Sequence, residues 1–156
     1  MGLLQSIIDN TPDRHLVEAN ERYQVSVMKA TFGSTKGAEE TDEQEGRAKR
    51  PVLLLSLKIE GDPIAYPVFE RLFFPIKGDK DSSVQFMQET IKAAMRCLGY
   101  NAERNGEVPA WKPDMAEVEL PLMKGLTGWV IMKIEEDMQG IPHNQVKTWL
   151  LPSEDK

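Results

Sequence analysis

The sequence is most constrained by one amphipathic helix, predicted over residues 82–98, that has β-type segments on both sides. Its apolar residues recur at helical spacing and form one stripe, Val84, Met87, Ile91, Ala94, Met95 and Leu98. Ser82 and Gln85 have the spacing of a capping box, and Gly99 is a typical helix stop. Such a stripe has to be buried, so we expect it to pack against the surrounding β-structure.

Alternating apolar side chains bounded by turn residues predict five strands, which makes the fold mainly β. The strands cover residues 23–32, 51–59, 64–74, 129–135 and 144–151. The sequence Gly-Asp-Pro at 61–63 predicts a hairpin between the second and third strands. Five strands with one helix between strands 3 and 4 is the order of the OB-type barrel, a partly open Greek-key fold. The loops 33–50 and 136–143 then take the positions of its two ligand-binding loops.

The length of 156 residues fits one domain. We expect this domain to span residues 21–152, after an N-terminal lead-in of residues 1–20 and before a short polar tail of residues 153–156. The single cysteine, Cys97, excludes a disulfide framework and favours a reducing compartment. No apolar run is long enough to cross a membrane, and residues 1–10 lack the features of a signal peptide. We therefore expect a cytoplasmic protein with no membrane partner.

The formal net charge of −6 argues at first against a nucleic-acid partner. The charge is unevenly distributed, however, because residues 38–46 carry five acidic side chains and no basic one. Arg47, Lys49 and Arg50 follow immediately. This pattern is compatible with a locally positive groove beside an acidic loop tip, and equally with a solvated loop whose charges protect the next strand from aggregation.

Several short segments together resemble small bacteriophage single-stranded-DNA-binding proteins. The segments are residues 22–27, 53–59, the helix, residues 125–130 and residues 144–147. The resemblance extends over residues 20–151 and implies an OB-fold core that acts on single-stranded DNA in replication or recombination. Replication or recombination proteins and further copies of the chain are then candidate partners, and the location is the host cytoplasm if the protein is viral.

Binding of single strands with little base preference needs aromatic faces that stack on bases and cations that neutralise phosphates. Strand alternation places such residues together, as in Phe69, Arg71 and Phe73. By the same alternation, Trp129 shares a face with Lys133, and Lys147 shares one with Trp149. The predicted interface consists of Arg47, Lys49, Arg50, Lys58, Phe69, Arg71, Phe73, Trp129, Lys133, Lys147 and Trp149.

The same aromatic residues also have a structural interpretation, because strand tryptophans and phenylalanines are often core residues. Which face of the third strand is buried stays open, since Val68, Leu72 and Phe74 form a second apolar face. Cys97 is expected to be a small buried hydrophobic residue in the helix.

Two other classes of function are considered. One is a non-catalytic protein–protein adaptor or structural component whose barrel groove takes a peptide or a neighbouring subunit, and the acidic net charge favours it. The other is a hydrolase that uses a metal held by Glu135, Glu136, Asp137 and His143. A solvated turn explains that acidic cluster better, and the sequence has no phosphate-binding loop or nucleophile elbow. We therefore predict no enzymatic activity, no metal and no cofactor.

Overall fold

The computed structural model of the chain describes residues 2–35, 49–112 and 114–152. The acidic residues 38–46, Arg47 and the predicted tail at 153–156 lie outside this part of the chain. Three α-helices are described: α1 (Leu3–Asn10), α2 (Asp81–Leu98) and α3 (Ala102–Asn105). A short 3-10 helix spans Pro121–Met123.

The strands form one antiparallel sheet. They are β1 (Arg22–Ser34), β2 (Pro51–Ile59), β3 (Val68–Phe73), β4 (Val118–Glu119), β5 (Thr127–Glu136) and β6 (Pro142–Trp149). The order across the sheet is β3-β2-β1-β5-β6, and β4 pairs with β1. The long strand β1 joins the two halves, because its first residues pair with β5 and its later residues pair with β2. The predicted mainly β class is confirmed.

The sheet is not closed into a barrel, so the predicted five-stranded OB-type barrel is not confirmed. β3 and β6 are the two edges, and the described residues contain no ladder between them. One side chain bridges the edges instead, since the backbone N–H of Val146 donates a hydrogen bond to the Glu70 carboxylate. β4 is a strand in addition to the five predicted ones, and it lies in a connection for which no strand was predicted. Its two residues are too few to give an alternating pattern.

The third strand begins later than predicted, at Val68 rather than at residue 64. The hairpin between β2 and β3 is present, but the segment that joins its two strands is longer than predicted. Ala65 donates its N–H to the carbonyl oxygen of Asp62 at 3.2 Å and forms a parallel bridge with His15. The backbone of this segment therefore pairs with the N-terminal part of the chain rather than with β2.

Helix α2 is the predicted central helix, and it starts at Asp81. Lys80 is the N-cap residue and makes no side-chain cap hydrogen bond. The amide of Gln85 donates to Glu89 one turn further on, so the predicted capping box is wrong. Gly99 ends the helix as predicted, with φ at 70°, in the left-handed region that favours glycine. None of the described helices has the length and apolar character needed to cross a bilayer.

The last two turns of α2 pack on the sheet. Ala94, Cys97 and Leu98 are buried there, which confirms the expectation for the cysteine. The Cys97 thiol lies 3.1 Å from the carbonyl oxygen of Trp129 in β5. The helix comes this close because residue 128 is glycine: a Cβ atom there would lie 2.6 Å from the Cys97 carbonyl oxygen.

The N-terminal segment is partly integrated into the fold. Helix α1 buries no side chain. From Arg14 onwards the chain is fixed, since the Arg14 guanidinium donates to the carbonyl oxygen of Ala65. Val17 is buried, and its backbone exchanges two hydrogen bonds with the side-chain amide of Asn144 in β6. The packed structure thus begins near residue 14, within the segment predicted to be a lead-in.

Candidate nucleic-acid interface

The outer face of β3 carries the first predicted group, Phe69, Arg71 and Phe73. Val68 and Leu72 are buried in the core, so alternation directs these three side chains away from it. Phe69 is 64% exposed and Phe73 is 39% exposed, and Arg71 is exposed between them. The structure thus decides which face of the strand is buried, and it leaves two aromatic rings and a cation facing outwards.

Helix α2 adds an aromatic residue that the sequence analysis missed. Phe86 is 70% exposed. Together with Phe69, Arg71 and Phe73 it lines a groove of about 690 Å³ between β3, α2 and the β5–β6 hairpin. We call this the β3–α2 groove. A signal was present in the sequence, because Phe86 lies outside the apolar stripe of the helix and had no core position to fill.

Lys29 of β1 is a second residue that the sequence analysis missed. It is exposed, and it lies in one row with Phe69, because Ser56 of β2 pairs with both residues. Strands are spaced at about 4.8 Å, so roughly 10 Å separates the two backbones. Alternation from Val27 would direct Lys29 into the core. The register shift after Val27 turns it outwards instead, and the sequence gives no signal for that bulge.

The predicted basic residues around the start of β2 differ in their surroundings. Lys58 is exposed on the outer face of β2, and Lys49 is half-buried just before the strand. Arg50 makes two hydrogen bonds to the Asp79 carboxylate, at 2.7 and 2.8 Å. The hydrogen bond and charge of Arg50 lower the pKa of Asp79 to about 2. Because its charge is already matched, we leave Arg50 out of the interface. Arg47 lies outside the described residues.

Trp129 and Lys133 lie on the outer side of β5, as alternation predicts. Trp129 stands between two buried residues, and the guanidinium carbon of Arg22 is 5.8 Å from the centre of its ring. The ammonium group of Lys133 is 2.9 Å from the Glu135 carboxylate and lowers the pKa of that carboxyl. Both residues are half-buried. Trp129 and Lys133 therefore share one face as predicted, with Arg22 beside the tryptophan and Glu135 beside the lysine.

The second predicted tryptophan–lysine pair is divided between two faces. The pairing of β5 with β6 shifts register after Ile131, so Lys147 has no partner in the ladder. Trp149 pairs with Val130, which is fully buried, and packs against the core. Lys147 is exposed and donates a hydrogen bond to the Asn20 side chain at 2.9 Å. The expectation that Lys147 and Trp149 share a face is wrong, because a bulge changes the alternation between them.

Glu70 lies between the groove residues of β3 but on the inner side of the strand, where it pairs with buried Leu55. Burial raises the pKa of its carboxyl, while the hydrogen bond from Val146 and the charge of Lys133 oppose the shift. Glu70 therefore keeps its proton to a higher pH than an ordinary glutamate.

The acidic cluster considered for a hydrolase is engaged in structural contacts. One Asp137 oxygen accepts the backbone N–H groups of Gln139 and Ile141, at 2.8 and 2.9 Å, and so shapes the β5–β6 turn. Glu135 is paired with Lys133. Within the described residues no group of three or more His, Cys, Asp or Glu side chains is placed to hold a metal ion.

Comparison with known proteins gives no assignment. No family model matches the chain, and no curated protein matches it at significant similarity.

Proposed function

We propose that this protein binds single-stranded DNA with little base preference, and that the β3–α2 groove and the adjoining outer face of the sheet form its binding surface. One observation carries the proposal: three exposed phenylalanines and Arg71 line a single groove. Exposed apolar side chains that cluster in one groove are typical of a site that binds a ligand or a partner. Unpaired bases present the flat apolar faces that such rings bind.

We further propose that the sheet is an OB-type barrel left open between β3 and β6. The position of α2 between the third and fifth strands supports this, and so does the long β1, which pairs on both sides. The resemblance of residues 20–151 to small phage single-stranded-DNA-binding proteins agrees with it. In this arrangement Glu70 bridges the two edges where a closed barrel would have a ladder.

Binding would combine two contributions. Bases stack on Phe69, Phe73 and Phe86, at about 1–3 kcal/mol per base. Arg71 lies among these rings, and Lys29 and Lys58 continue the row of cations across the sheet. A DNA strand that crosses β3, β2 and β1 would therefore meet cations along its phosphate backbone. Duplex DNA is a poor ligand, because its bases already stack on one another.

The test is a fluorescence-anisotropy titration of labelled oligo-dT with the wild-type protein and with Phe69→Leu and Phe86→Leu variants. Leucine keeps an apolar side chain and removes the aromatic face. Each change should weaken binding by about 1 kcal/mol or more, roughly fivefold or above, without lowering the melting temperature. Absence of any binding by the wild-type protein at low salt would refute the proposal.

A matched pair of arginine variants tests the electrostatic part. Arg71→Gln should weaken binding and reduce the slope of log affinity against log salt by about 0.7, the value for one lost phosphate contact on a single strand. Arg104→Gln removes the same charge from exposed α3, away from the groove, and should leave the slope unchanged. Equal effects of the two variants would mean that net charge, not a contact at Arg71, governs binding.

A second candidate function is peptide binding by an adaptor. It is favoured by one observation, namely that the β3–α2 groove runs along a sheet edge, β3, which has no ladder partner on that side among the described residues. An extended peptide could add a strand there through backbone hydrogen bonds. Such binding would tolerate Phe69→Leu and Phe86→Leu and depend weakly on salt, so the same titrations distinguish the two functions.

A further inference from the structure

The β3–α2 groove has two walls of different chemistry. The three exposed phenylalanines of β3 and α2 form an aromatic wall. The β5–β6 hairpin forms a polar wall, to which it contributes Asp137, His143, Asn144 and Gln145. The hydrogen bond from Val146 to Glu70 keeps the two walls together. Each of these two residues directly follows a groove residue in the sequence, Gln145 in β6 and Phe69 in β3. A ligand on the phenylalanine rings therefore has the hairpin side chains beside it.

Most polar side chains that line the groove already have hydrogen-bond partners. The carboxylates of Glu70 and Asp137 accept backbone N–H groups, and the Asn144 amide binds the backbone of Val17. Gln145 lies between two buried residues of β6, so alternation directs its half-buried side chain into the groove. No hydrogen bond joins its amide to another residue in the described part of the chain. The Gln145 side chain therefore offers a ligand both an acceptor oxygen and N–H donors.

A nucleobase is complementary to both walls. Its flat faces stack on aromatic rings, and its edge carries hydrogen-bond donors and acceptors that are free in an unpaired strand. On the Watson–Crick edge of every DNA base, a donor lies directly beside an acceptor. A glutamine amide also carries a donor beside an acceptor, and a half-turn of the amide group reverses their order. Gln145 can therefore make a pair of hydrogen bonds with any DNA base.

We infer that Gln145 is the base-edge contact of the β3–α2 groove: while a base stacks on the phenylalanine wall, the Gln145 amide hydrogen-bonds to its Watson–Crick edge. This inference rests on the proposed binding of single-stranded DNA. The contact adds affinity for bases without selecting one of them, so it agrees with a low base preference. His143 on the same wall is not suited to this role, because a neutral imidazole has its donor and its acceptor on separate sides of the ring.

The variant Gln145→Glu tests the contact, because glutamate has nearly the same size but its carboxylate only accepts hydrogen bonds. Cytosine can donate its amino group to a carboxylate. Thymine has a single N–H between two carbonyl oxygens, which repel the carboxylate. The wild-type protein should bind oligo-dC and oligo-dT within about threefold of each other. Gln145→Glu should weaken binding of oligo-dT about fivefold more than binding of oligo-dC.

Gln139→Glu is the matched control. It adds the same charge to the exposed turn of the same hairpin, at a position that does not line the groove. It should therefore leave the ratio of the two affinities at its wild-type value. This ratio is measured within one variant, so it does not depend on how much of the variant is folded.

Gln145→Ala removes the amide without adding a charge. It should weaken binding of both oligonucleotides by a similar factor, about two- to tenfold for a lost hydrogen-bonding group. An unchanged ratio of affinities in Gln145→Glu, or wild-type affinity in Gln145→Ala, would overturn the role of Gln145. Either result would leave the proposed function intact if the wild-type protein still binds and Phe86→Leu still weakens it. A wild-type protein that binds neither oligonucleotide would refute the proposed function and this inference together.

Discussion

The two strand tryptophans provide the sharpest test of the structure, because the fold assigns them opposite roles. Trp149 packs against the core opposite Val130, whereas Trp129 lies on the outer face beside Arg22. Truncation to alanine should therefore lower stability at Trp149 and lower DNA affinity at Trp129. The sequence alone treats the two residues alike, so the comparison measures what the tertiary structure adds.

The expected loss of stability for Trp149→Ala follows from the buried area. A tryptophan buries about 150–250 Å², which at about 25 cal/mol per Å² gives roughly 4–6 kcal/mol as an upper bound. Trp149 is partly exposed, so about 3–5 kcal/mol is the expected reduction in the free energy of unfolding. In a chain of this size each kcal/mol corresponds to about 2–4 °C, so the melting temperature should fall by about 6–20 °C. Trp149→Phe keeps a ring in the core and should cost much less.

Trp129→Ala should have the reverse profile. Its contact with Arg22 is worth about 0.5–1 kcal/mol, and its half-buried ring lies on the outer face of the sheet, so the melting temperature should fall much less than for Trp149→Ala. If Trp129 stacks on a base, affinity for oligo-dT should fall by about 1–3 kcal/mol. Thermal melts and anisotropy titrations of both variants give the answer. A large drop in the melting temperature for Trp129→Ala and a small one for Trp149→Ala would refute the strand register and the bulge in β6.

Two further predictions concern packing and pH. Gly128→Ala would place a Cβ atom 2.6 Å from the backbone of Cys97, so it should lower the free energy of unfolding by about 1–3 kcal/mol in a denaturant melt. Gly33→Ala should lower it less, because the nearest contact of its Cβ is the movable side chain of exposed Glu117. A larger loss for Gly33→Ala would contradict the packing of α2 on β5. The hydrogen bond that the His15 ring donates to the Asp62 carboxylate raises the pKa of His15 above 6.5. This contact should therefore stabilise the fold fully below pH 6.5 and lose its effect as the pH rises through the raised value. Melting temperatures across this range should therefore decline in the wild type relative to Asp62→Asn, and parallel curves for the two proteins would show that the contact does not form in solution.

Local sequence patterns determined the main elements of this protein. The 3.6-residue period of the apolar residues, together with Gly99, is sufficient for α2, and the two-residue period is sufficient for the five principal strands. The same alternation correctly directs Phe69, Arg71 and Phe73 to one face. These features depend on side chains close in sequence, so neighbouring residues carry the information.

The tertiary structure decided what depends on distant residues. Bulges changed the faces of Lys29 and Trp149, and a bulge is set by how two strands pair rather than by the composition of either one. Arg50 left the predicted interface because Asp79, 29 positions away, matches its charge. Phe86 joined Phe69 because α2 crosses beside β3. The opening between β3 and β6 likewise follows from how the two ends of the sheet meet, with Glu70 between them, which no local pattern specifies.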